Sequence, residues 1–137
     1  MRFCRLFTLL LATLLACFDG GFAYGGDLYA IAHPGLKLSA DDIREIYLGD
    51  KEFSGSVRLV PVENEAAQAE FVVKALAMDL QRYSTHWVRK SFRDGLNPPA
   101  AKSTDLEVLE YVRRTAGAVG YVSSAPLDKD VMVVRKF

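Results

Sequence analysis

His33 and His86 are the two histidines of this 137-residue sequence, and together they could ligate a metal or move protons. They fall in different kinds of segment: His33 follows an apolar run, and His86 sits in a helical stretch beside Trp87. Neither belongs to a ligand spacing such as His-Glu-x-x-His, so no metal site and no cofactor are expected. No Gly-x-Ser-x-Gly elbow, phosphate-binding loop or dinucleotide fingerprint occurs either. Asp41, Asp42 and Glu45 gather at a helix start, where the helix dipole accounts for acids, and Arg89, Lys90 and Arg93 read as a solvated helix end, where it favours cations. With no nucleophile and base in view, the expectation is a protein that is not an enzyme.

One constellation remains. In parallel α/β sheets, ligands bind beyond the carboxyl ends of the strands. His33, Glu63-Asn64 and Ser123-Ser124 each follow a run that reads as a strand. If those strands are parallel, His33, Asn64, Gln68 and Ser123 share one rim, with the free N–H groups of a helix starting between Asn64 and Gln68. The plainer reading of the same residues is that His33 and Ser123 are turn formers and Asn64 a helix cap.

The elements that must position them follow from periodicity. Residues 27–32 form a short apolar run stopped by His33-Pro34-Gly35, which reads as a strand. Ser39 and Asp42 make a capping box for a helix carrying Ile43, Ile46 and Tyr47 on one face and ending at Gly49. Residues 56–62 suit a strand covered on both faces, with Pro61 near its end or at an edge. Asn64 caps a helix to about Met78, and a third helix over about 79–92 buries Leu80, Tyr83 and Trp87. Residues 94–99, with two prolines and a glycine, are a loop. Thr104 and Glu107 form a second capping box for a helix with Leu106, Leu109 and Val112 on one face. Residues 118–122 and 131–135 read as two strands, and the whole order favours an α/β domain with a mixed sheet flanked by helices.

The N-terminal residues bear on where this domain works. Arg2 and Arg5 precede an uncharged, largely apolar stretch from Leu6 to Phe18, followed by Gly21-Phe22-Ala23. That order is a signal peptide over residues 1–23, too short to span a bilayer, and it leaves one domain over 24–137. Leu14-Leu15-Ala16-Cys17 also resembles a lipobox, which would make Cys17 a lipidated first residue and tether the domain to a membrane. Cleavage after Ala23 removes both cysteines, Cys4 and Cys17, so disulfide and thiol chemistry are not expected of what remains. With 17 basic against 17 acidic residues the chain lacks the positive excess of a nucleic-acid binder.

Several pieces in order form a recognisable series: Leu38 to Gly49, the strand ending Val60-Pro61-Val62, Trp87, Phe92, Pro98-Pro99, and Gly117-Ala118-Val119-Gly120-Tyr121-Val122. The chain resembles the periplasmic phosphate-binding-protein-like family, the substrate-binding proteins of phosphate ABC transporters, and specifically its short single-lobe members. The resemblance implies a single lobe of a type 2 periplasmic-binding-protein fold, a periplasmic location, and a small polar ligand such as an oxyanion. Full-length relatives clamp their anion between two lobes, so a single lobe would hold it on an open half-site or between two copies in a homodimer. The family's arginine and Ser-Gly-Thr at the helix start are absent: the matching stretch is Glu65-Ala66-Ala67-Gln68, where Glu63 and Glu65 would repel an anion. Two functions stay open: a solute-binding protein, or a ligand-free interaction module docking on a membrane transporter or sensor protein.

Overall fold

The computed structural model describes residues 26–137; the segment expected to be a signal peptide and both cysteines lie outside them. Short apolar runs become the strands of one five-stranded sheet. In chain order the elements are β1 (Tyr29–Ala32), α1 (Asp42–Tyr47), β2 (Phe53–Ser54), β3 (Val57–Arg58), β4 (Val60–Asn64), α2 (Gln68–Leu76), α3 (Leu80–Asp94), β5 (Ala100–Lys102), α4 (Asp105–Arg114), β6 (Ala118–Val122) and β7 (Met132–Lys136). The sheet runs β5-β4-β6-β1-β7, and β2 and β3 form a separate hairpin. β4 is parallel to both β5 and β6, whereas β1 is antiparallel to β6 and to β7.

Alternation along the strands divides the interior into two layers. Ala30, Ala32, Val119 and Tyr121 face the helices α1 to α3, where they meet Tyr47, Phe71 and Trp87. Ile31, Val62, Ala118 and Val122 face α4 through Val108 and Val112. The first layer is aromatic: the Phe71 and Tyr121 rings stack at 3.8 Å, and Tyr47 meets Phe71 edge-on at 4.8 Å. In the second layer α4 lies directly on β6 at Gly120, where a Cβ would come within 2.6 Å of Val108 Cγ1.

Local signals explain most helix boundaries. Asp79 caps α3 by accepting from Arg82 N at 2.8 Å. At α4 both side chains of the capping box engage, Thr104 Oγ1 accepting from Glu107 N and Glu107 reaching one residue past the cap to accept from Ser103 N. At α1 only half forms, with Asp42 accepting from Ser39 N at 2.7 Å. Pro61 is tolerated in β4, a central strand, because pairing with β5 begins only at Val62.

Several expectations are corrected. The strand over 56–62 is broken at Leu59, and its first half pairs back on Phe53–Ser54 as the hairpin. The loop expected over 94–99 is present from residue 95, and it leads into a short strand, β5, that was not expected. Leu106 is 64% exposed because it precedes Val108 by two residues, about 200° round the helix from the buried face. Leu80 is exposed in the first turn of α3, and the covered face starts at Tyr83. The basic group on α3 is not simply solvated either: Lys90 is buried beside Gly49 and donates to Asp50 at 2.6 Å.

Candidate functional site

The parallel strands β5, β4 and β6 end on one edge of the sheet, and β4 delivers Glu63 and Asn64 there. Glu63 is on the helix-covered side, only 3% exposed, and its carboxylate is held from two directions. Tyr83 from α3 donates its hydroxyl to Oε1, and Tyr121 from β6 donates to Oε2 at 2.5 Å. Gln68, the first residue of α2, stands near the carboxylate. Burial raises the pKa of Glu63, its hydrogen-bond donors opposing but not reversing the effect. Burial and the neighbouring carboxylate push the Tyr83 and Tyr121 phenols far above their ordinary range, so both remain neutral donors.

Glu63 borders a cleft of about 440 Å³ that also has Gln68, Tyr83, Trp87, Phe92 and Pro98 in its walls. The cleft is built from α2, α3 and the Pro98-Pro99 segment that leads into β5. Trp87 is fixed by donating Nε1–H to Tyr47 O at 3.2 Å. Phe92, by contrast, is 90% exposed at the cleft mouth.

The four residues expected on one rim separate into three groups. Asn64 and Ser123 do converge, through Asp105 at the start of α4: Asn64 Nδ2 donates to Asp105 Oδ1 at 2.6 Å, and Ser123 Oγ donates to Oδ2 at 2.6 Å. Asn64 is fully buried, gives its second donor to Tyr121 O, and accepts from Ala66 N. Its side chain is consumed in joining β4, β6 and the entry to α2. Gln68 stands apart on the cleft wall. His33 does not belong to this rim, because β1 runs antiparallel to β6. Its N–H donates to Ala118 O at the opposite end of β6, roughly 17 Å of strand from Ser123, and its ring contacts Pro34 O.

The aromatic walls and the tyrosine donors were not singled out from the sequence as site residues. A signal was present, since Tyr47 and Tyr83 fall on the faces that their helices were expected to bury and Tyr121 lies in an apolar strand, and a buried tyrosine hydroxyl requires a partner. Tyr47 takes carbonyls, donating to Val62 O at 2.8 Å; the other two take Glu63.

No family model and no curated protein matches the chain. Solved structures do. An ABC-type phosphate transport receptor from Vibrio cholerae superimposes with a TM-score of 0.50 at 17% identity, covering 80% of this chain and 46% of that one. A structure from Clostridium perfringens with bound phosphate, described as a phosphate ABC transporter substrate-binding protein, gives 0.52 at 19%, covering 80% and 45%. The chain thus spans under half the length of these proteins. What it shares with them is the fold: a mixed sheet flanked by helices, equivalent to a single lobe of a phosphate-receptor-type binding protein.

Proposed function

We propose that this chain is a non-enzymatic, exported solute-binding-like protein whose solute occupies the cleft beside Glu63 and Gln68. The observation that carries the reading is the placement of that cleft: it opens at the carboxyl end of β4 in a sheet of binding-protein type, where ligands of such folds collect. Of the rim residues expected from the sequence, Gln68 is the one that would touch solute. Asn64 and Ser123, locked on Asp105, hold the frame around it. Export through residues 1–23 belongs to the same reading, and Edman sequencing of the mature protein would then begin at Tyr24; a blocked, lipidated Cys17 would replace free diffusion in the periplasm by a membrane tether.

The test is a thermal-shift and calorimetric screen of the mature chain against phosphate, other small oxyanions and small organic solutes at millimolar concentration. A solute present at 100 times its Kd raises stability by about 2.7 kcal/mol, so a true ligand produces a clear change in melting temperature. Failure of every class to move the transition overturns the proposal.

A second reading rests on a different observation. Val88 and Phe92 form an exposed apolar pair one turn apart on α3, which suits docking on a transporter or sensor protein. On that reading Phe92→Ser abolishes capture of the partner, and no solute in the screen moves the melting temperature of the wild type.

A further inference from the structure

We infer that the cleft selects a solute carrying a positively charged nitrogen on an apolar body, an organic ammonium, and rejects oxyanions. The inference rests on the solute-binding reading and adds the chemical class. Buried charges in proteins are normally paired. Glu63 is buried, yet among the described residues none of the ion pairs reaches it. The groups facing it are Tyr83 from α3, Tyr121 from β6, Tyr47 from α1 and Gln68 from α2, all of them neutral.

A carboxylate offers about four lone-pair positions, and the tyrosines take one on each oxygen, which leaves acceptor capacity for a ligand N–H. The walls fit the rest of such a molecule. Tyr83 and Trp87 supply aromatic surface that attracts cations, and Phe92 and Pro98 supply apolar contact. Among the described residues no lysine or arginine lines the cleft, so an oxyanion entering it would meet the Glu63 charge with none of them to offset it.

Trp87 is the single tryptophan of the chain and stands in the cleft wall, so its fluorescence reports occupancy directly. The probes are benzylamine, its neutral counterpart benzyl alcohol, and inorganic phosphate, each titrated into wild type and Glu63→Gln. Benzylamine should change Trp87 emission and raise the melting temperature of the wild type, with affinity at least about tenfold weaker in Glu63→Gln, the scale of a lost charged hydrogen bond. Equal binding of benzyl alcohol, binding of phosphate in the cleft, or unchanged benzylamine binding by the variant overturns the ammonium inference while leaving the cleft a solute site. Silence from all three probes together with a silent solute screen removes both. If Glu63→Gln does not fold, wild type titrated at falling pH serves instead: benzylamine binding must weaken as Glu63 protonates, and pH-independent binding counts against the inference.

Discussion

Glu63 ionises at a position where ionisation is unfavourable, and the consequence can be read in stability. A carboxyl whose folded pKa lies above its unfolded value binds more protons in the native state, so its contribution to stability falls as pH rises through that interval. The loss begins near the ordinary glutamate value of 4.5 and is complete above the raised folded value. Glu63→Gln removes the titration. Urea unfolding across pH 4 to 8 should therefore show the variant gaining on wild type as pH rises, by about 1.4 kcal/mol for every pH unit that separates the folded from the unfolded pKa. A constant offset would contradict the assigned environment. A neighbouring prediction concerns Asp105, which holds Asn64 and Ser123 at once. Asp105→Ala leaves a buried amide with one donor short and should cost about 1–3 kcal/mol in the same assay. From the sequence alone, Asn64 and Ser123 were legible as strand-end polar residues, but not their shared partner. Asp105 is far from Asn64 in the chain, and only the β4–β6 pairing brings the three together.

Among the elements, the helices were the most legible, since caps and periodicity are local. Asp79→Ala should lower stability by about 1 kcal/mol through loss of the Arg82 N–H bond, measured by denaturant midpoint at unchanged slope. The short strands were less legible. The β2–β3 hairpin and β5 have two or three residues each, too few to show a period of two, and they exist because neighbouring elements hold them. Packing between elements was invisible for the same reason. Gly120 looks like an ordinary strand residue, yet α4 lies so close to it that a Cβ would collide with Val108. Gly120→Ala must push against Val108 and Val112, and about 1–3 kcal/mol of destabilisation is expected. A neutral result would mean that α4 is free to move off β6.

At the scale of the molecule, one sheet serves both interior layers, with β1 and β6 contributing side chains to each. Far-ultraviolet dichroism and Trp87 fluorescence should therefore report a single coincident unfolding transition. The direction of β1 is also decided at this scale. A strand reads the same from its composition whichever way it runs, so the sequence placed His33 at a strand end without revealing which end of the sheet that was. The edge carrying β7 has a further consequence. Leu28 and Phe137 exchange backbone hydrogen bonds, and Phe137 packs edge-on to Phe71 at 6.0 Å. The chain thus enters and leaves the domain side by side, three strand spacings, about 14 Å, from β4 and its cleft. Such neighbouring ends could be spliced by a short linker and the chain reopened at the β2–β3 turn, giving a circular permutant with the Glu63 cleft intact.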